Sequence, residues 1–171
     1  MAIRKPIAFG KSLFDHYTDV GNVGTGEDDL YSDTIPALQL QTNGDKLEAI
    51  YSGITVASGT ASRRWRLYFG GTAIFDSGDL YNPVSAGAWA LNVSIIRVSS
   101  SVVRYSCALT ISNAVFVSGS VAAVVASVGE LTGLTLSNTQ VLKITGEAAS
   151  TGAATNDIVA KLGYVDYTPA A

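Results

Sequence analysis

Along most of this chain apolar and polar residues alternate with a period of two, which sends successive side chains to opposite faces of a β-strand. Over residues 64–69, Trp65, Leu67 and Phe69 point one way, and Arg64, Arg66 and Tyr68 the other. Gly70-Gly71 then turns the chain, and residues 72–75 return. Residues 89–98 place Trp89, Leu91, Val93 and Ile95 on one face. After a serine turn at 99–101, residues 102–111 place Val103, Tyr105, Cys107, Leu109 and Ile111 opposite Arg104, Ser106, Ala108 and Thr110.

The remaining segments follow the same rule less cleanly. Residues 30–35 alternate Leu30, Ser32 and Thr34 against Tyr31, Asp33 and Ile35, until Pro36 ends the strand. Residues 42–45 contain Asn43-Gly44, a strong tight-turn pair, and residues 46–56 put Leu47, Ala49 and Tyr51 on one face. Residues 121–128 are apolar on both faces, which predicts a central strand or one covered on both sides. Residues 141–145 form a further strand, and residues 148–155 a loop of small residues. Residues 156–167 close the domain with Ile158, Ala160, Leu162 and Tyr164 on one side.

The count is nine or ten strands with no helix of three turns, the mark of an all-β sandwich or barrel. Loops at 76–87 and 112–119 are too long for an up-and-down barrel of tight hairpins. A jelly-roll-like antiparallel β-sandwich fits better, with an immunoglobulin-like sandwich as the alternative. The first 26 residues differ in character. They hold Arg4, Lys5, Lys11, the single His16 and irregularly spaced Phe9 and Phe14, and they end in a glycine-rich stretch. The division is therefore an N-terminal extended arm and linker at 1–26 and one sandwich domain at 27–171. The competing expectation is that this segment folds back as a first strand.

Composition sharpens the picture. Charged residues are 15% of the 171 and apolar residues 47%, against about 25% charged in an average domain. Much of the surface must then be Ser, Thr, Gly, Ala and exposed apolar side chains, suited to meeting other subunits. The net charge of −3 gives no general attraction to nucleic acid. No apolar run approaches the ~20 residues that span a bilayer, and the first residues lack the apolar core of a signal peptide. The expectation is a protein made in a cytoplasm, without a membrane partner. Cys107, the single cysteine, reads as a buried, inert thiol.

Candidate chemistry is thin. A Ser-His-Asp triad would need His16 as its base, inside the arm. One histidine and one cysteine on separate segments do not make a zinc site. Glu27-Asp28-Asp29 offers oxygens to calcium but lacks the spacing of a calcium loop; a solvated strand entry or a salt-bridge partner for a neighbour fits it better. Asp76, Asp79 and Asp157 sit beside turn residues and read as turn formers. Arg63, Arg64 and Arg66 form the densest basic run, read as an exposed strand face paired with acids across a subunit contact. Trp65 and Trp89 fall in phase with core positions; Tyr31, Tyr68 and Tyr81 are the exposed aromatic candidates. No enzyme is expected, and no cofactor or metal.

Four stretches together are similar to tailed-bacteriophage virion β-proteins, found as head-decoration (cement) or tail-fibre modules: residues 20–32, 43–48, 67–78 and 89–98. The resemblance spans about residues 20–167 and rests on turns and strands. It implies a jelly-roll-like sandwich acting as a homotrimer, with no catalytic residues to carry over. The chain, running from Met1 to just past its last strand, reads as a complete small protein with no shaft repeat. The resulting expectation is a virion protein, a trimeric capsid decoration that bridges capsid subunits. Its partners are further copies of itself and the major capsid or other virion proteins. Arg4, Lys5, Phe9, Lys11 and Phe14 are the expected capsid contacts. Arg64, Arg66, Glu27, Asp28, Val121 and Val124 are the expected subunit contacts. The alternative is a tail-fibre or receptor-binding head that holds host-surface glycan through exposed tyrosines and the two long loops.

Overall fold

The computed structural model describes residues 10–56, 62–81, 86–112, 122–149 and 154–170. Within them lie twelve strands and no helix: β1 (Lys11–His16), β2 (Val20–Gly21), β3 (Gly26–Ile35), β4 (Lys46–Thr55), β5 (Ser62–Phe69), β6 (Thr72–Asp76), β7 (Leu80–Tyr81), β8 (Gly87–Ser99), β9 (Val102–Ser112), β10 (Ala122–Leu131), β11 (Gln140–Ala149) and β12 (Ile158–Thr168). They form two antiparallel sheets. The large sheet runs β1-β12-β4-β8-β9-β10, with β2 also on β12; the small sheet runs β3-β11-β5-β6, with β7 also on β5. The chain crosses between sheets from β2 to β3, β3 to β4, β4 to β5, β7 to β8, β10 to β11 and β11 to β12. The fold is an all-β, jelly-roll-like sandwich.

Period-two alternation builds the core. Trp65, Leu67 and Phe69 of β5 face Trp89, Leu91 and Ile95 of β8, all at most 2% exposed. The two indole rings meet at 5.9 Å, tilted by 54°. Each such side chain contributes about 1.5–3 kcal/mol by leaving water. Cys107 is buried in the same layer, as its phase requires.

The structure corrects the N-terminal division. Residues 11–16 are β1, the edge strand of the large sheet, and pair antiparallel with β12. The glycine-rich stretch is pinned down as well. Asn22 is fully buried; its side-chain amide donates to Gly24 and Ala154 carbonyls, and its Oδ1 accepts from the Ile158 amide at 2.8 Å. A buried amide side chain that satisfies three backbone groups replaces the flexible joint that the glycines suggested. The boundary at 26/27 falls inside β3. Residues 1–9, with Arg4, Lys5 and Phe9, lie outside the described residues.

Two bulges correct the face assignments. Between Ile144 and Thr145 the β11–β3 register slips, so Leu30 and Tyr31 are both buried and Tyr31 is not an exposed aromatic. Between Ala160 and Leu162 the β12–β4 register slips likewise; Ile158 and Ala160 face the core, while Leu162 is 50% exposed. An extra residue inverts every later side chain relative to the alternation before it. The third correction concerns β10. Apolar on both faces, it nevertheless lies at the edge of the large sheet, with Val124 and Val128 exposed by 65% and 78%.

Candidate functional site

Three surfaces position functional groups: the seam under β1, the outer face of the small sheet and the outer face of the large sheet.

At the seam, His16 of β1 reaches the small sheet. Its Nε2 lies 2.8 Å from Asp33 Oδ1, and the Tyr51 hydroxyl donates to Asp33 Oδ2 at 3.1 Å. The imidazole stacks on Tyr31 at 4.2 Å and 11°, and the Tyr31 hydroxyl donates to the Thr18 carbonyl. Burial, with the Asp33 charge beside it, holds the Tyr51 phenol well above its ordinary pKa. Gly163 makes the fit possible: a Cβ there would lie 2.8 Å from Tyr51 and 3.3 Å from His16. Its contacts with Asp33 and Tyr31 make His16 part of a clasp between sheets. At the opposite seam the Ser127 hydroxyl of β10 donates to the Ile74 carbonyl of β6.

The outer face of the small sheet is a charge lattice. Arg66 contacts Glu27 at 2.6 Å, Glu147 at 2.7 Å and Asp76 at 3.4 Å. Arg64 pairs with Asp76 and approaches Asp79 at 3.9 Å, and Lys143 pairs with Asp29 at 2.9 Å. Glu27 also accepts from the Tyr68 and Thr145 hydroxyls. Burial alone would raise the Glu27 carboxyl, but those two hydroxyls and Arg66 outweigh it and hold the pKa low. Hydrogen bonding from Arg64 brings Asp76 down to about 2, against the smaller opposing effect of burial. A shallow depression of about 550 Å³ opens here, lined by Tyr68, Lys143, Glu27, Asp29 and Ser32, with the Lys143 ammonium 5.3 Å from the Tyr68 ring centre.

Arg64 and Arg66 therefore find their acids within the chain, on β3, β6 and β11, where a subunit contact was expected to supply them. Arg63 leaves the basic run altogether: it is buried, and its guanidinium donates to the Asp157 and Val56 carbonyls. Glu27, Asp28 and Asp29 diverge, to Arg66, the Val23 amide and Lys143. No group of three metal-ligating side chains occurs among the described residues. Asp157 and Asp76 do form turns, accepting from the Ala154 and Gly78 amides. Phe14 packs against its own core, while Lys11 is exposed on β1. Val121 and the long loops at 82–85 and 113–120 lie outside the described residues.

The outer face of the large sheet is the reverse. Register across β12, β4, β8, β9 and β10 aligns Leu162, Ser52, Ala90, Thr110 and Val124 in one row and Tyr164, Ile50, Asn92, Ala108 and Ala126 in the next. Ten positions in two rows carry no charge. Charges flank these rows at both ends: Lys46 pairs with Glu48, which faces Asp166, and Arg104 pairs with Glu130 at one end, while Lys161, paired with Asp19, lies beside Ser52 and Ala90 at the other. Sequence reading identified Val124 on this face but missed its extent, since the rows exist only once five separate strands are in register.

No protein-family model and no curated protein sequence matches the chain. Among solved structures, it is similar to the CBM2 module of the evolved Dit of Lactobacillus casei BL23 phage J-1, at 8% identity and a TM-score of 0.43, over 96% of this chain and 99% of that one. It is also similar to a chain of infectious bursal disease virus, Gx strain, at 13% identity and a TM-score of 0.29, over 94% of this chain and 40% of that one. The Gt strain gives 13% identity, a TM-score of 0.29 and coverage of 96% and 42%.

Proposed function

We propose that this chain is a non-enzymatic structural protein of a tailed-phage virion: a capsid decoration protein, acting as a homotrimer, that stabilises the head by bridging capsid subunits. One observation carries most of the reading. The sandwich divides its outside into a self-satisfied charge lattice and a broad neutral sheet face, an arrangement suited to adhesion. The motifs that resemble virion β-proteins are the turns and strands that build these sheets. Burial of area across subunit junctions would hold the shell against internal DNA pressure. Arg4, Lys5 and Phe9 precede β1 and, with exposed Lys11, would supply the contact to the major capsid protein.

Purified protein added to shells that lack it tests the reading. Saturable binding, with shells that withstand higher temperature, is the expected outcome. Shells that neither bind the protein nor gain heat resistance would refute it.

The depression beside Tyr68 favours a second reading, in which the chain is a tail-fibre or receptor-binding module for host-surface glycan. Rigid polar groups around an aromatic ring are what a sugar needs. A glycan array, with Tyr68→Ala as the control, separates the two: sugar binding abolished by that variant supports the second reading, and silence across the array removes it.

A further inference from the structure

We propose that the depression on the outer face of the small sheet binds an uncharged sugar ring through two adjacent hydroxyls, held by Asp29, Lys143 and Ser32. The inference rests on the second reading above and deepens it by naming the class of glycan.

Strand register builds the place. Ser32 of β3, Lys143 of β11 and Tyr68 of β5 are cross-strand partners in one row. The register slip between Ile144 and Thr145 turns both Leu30 and Tyr31 inward, so Asp29 and Ser32 stand together on the outer face. Asp29 thereby meets Lys143 at 2.9 Å. Val141, 40% exposed, adds an apolar patch, and Gly71, at φ 83°, keeps a side chain out of the opening.

Hydrogen-bonding capacity singles out this part of the lattice. Glu27 already accepts from Arg66, Tyr68 and Thr145, and Asp76 from Arg64, Arg66 and the Gly78 amide. In the depression capacity is left over. The Lys143 ammonium has three N–H groups and one carboxylate partner, Asp29 Oδ1, while Asp29 Oδ2 and the Ser32 hydroxyl have no partner among the described residues. A donor and an acceptor fixed side by side suit vicinal hydroxyls: one donates to Asp29, and both accept from Lys143 or Ser32. Because the ion pair is already formed, little side-chain freedom is lost on binding. Tyr68 and Val141 offer the sugar's C–H groups an apolar surface.

Charge sets the class. Arg64, Arg66 and Lys143 are all paired within the chain, and the carboxylates around them outnumber them. A sugar carboxylate or phosphate would find no unpaired cation here and would bring a like charge to Asp29.

Amide NMR titration tests this with methyl glucoside, galactoside and mannoside, whose rings carry cis and trans vicinal hydroxyls. Glucuronic acid and N-acetylneuraminic acid are the acidic probes. The expected result is binding of at least one methyl glycoside, with shifts centred on Lys143 and Tyr68, and at least tenfold weaker binding of both acids. Asp29→Ala and Lys143→Ala should each weaken binding about tenfold and Ser32→Ala about threefold; Arg104→Ala, on β9 of the large sheet, should leave it unchanged. Circular dichroism establishes that each variant folds; should one site variant fail to fold, the other two decide. In a monodeoxy series of the bound glycoside, losses are expected at two neighbouring positions. Silence from every methyl glycoside, or losses that never fall on neighbouring hydroxyls, overturns the inference. Binding that prefers an acidic sugar, or that ignores both Asp29→Ala and Lys143→Ala, overturns it while the glycan reading stands. Silence here and on the glycan array removes both.

Discussion

At the scale of single residues, the tightest local design is the cluster of His16, Asp33, Tyr51 and Tyr31. A buried carboxylate stripped of a partner costs about 1–3 kcal/mol. His16→Ala and Tyr51→Phe should each destabilise by about that much in chemical denaturation, and a double-mutant cycle of His16→Ala with Asp33→Ala should show coupling above about 0.5 kcal/mol. Additive losses would mean that the contact holds nothing. Gly163→Ala should cost about 1–3 kcal/mol, since its new methyl meets the Tyr51 ring at 2.8 Å. Cys107 makes a different prediction. Burial pushes its thiol up to about 12, so a thiol-reactive disulfide reagent should leave it untouched in the native protein and label it fully in denaturant. Acid stability follows from Asp76, whose folded pKa of about 2 lies below its ordinary 3.8. Its contribution is complete above the unfolded value and disappears as pH falls from about 4 through about 2. Glu27, also held low, acts in the same direction. Asp76→Asn should flatten the decline of melting temperature over that interval.

Among the elements, β1 and β10 show where a two-residue period stops being informative. Irregular apolar spacing at Leu13 and Phe14 hid β1, because β1 itself carries a bulge at Leu13, which breaks the alternation. Deleting residues 1–18 should expose the β12 edge and lower the melting temperature by roughly 5–10 °C, if half-buried Leu13 and Phe14 and the His16 contact together supply a few kcal/mol. No change in melting would show that β1 merely lies against the sheet. β10 misleads in the other direction. Apolar residues on both faces predict a covered strand, and the fold leaves Val124 and Val128 in the open. The two bulges are equally silent in the local pattern. Gly53 hints at the one in β12, because a Cβ there would lie 1.9 Å from the Val159 carbonyl oxygen; glycine alone permits that approach.

For the molecule as a whole, the two outer faces respond oppositely to salt. Surface ion pairs weaken as ionic strength rises, whereas apolar contact does not. If the neutral face makes the proposed oligomer, its assembly midpoint in sedimentation velocity should hold or tighten between about 0.05 and about 1 M sodium chloride; dissociation at high salt would point to the charge lattice. Most strands from β3 onward, the hairpin around Gly70-Gly71, the burial of Trp65 and Trp89 and the all-β class were legible because each depends on neighbours within about ten residues. Other features waited for the folded chain. Arg66 meets acids 39 and 81 positions away, His16 meets Asp33 across two sheets, and the uncharged rows draw one residue from each of five strands. A local hydrophobic period orients a side chain inward or outward. It carries no information about which distant strand lies alongside, and pairing, charge neutralisation and exposed surface all depend on that choice.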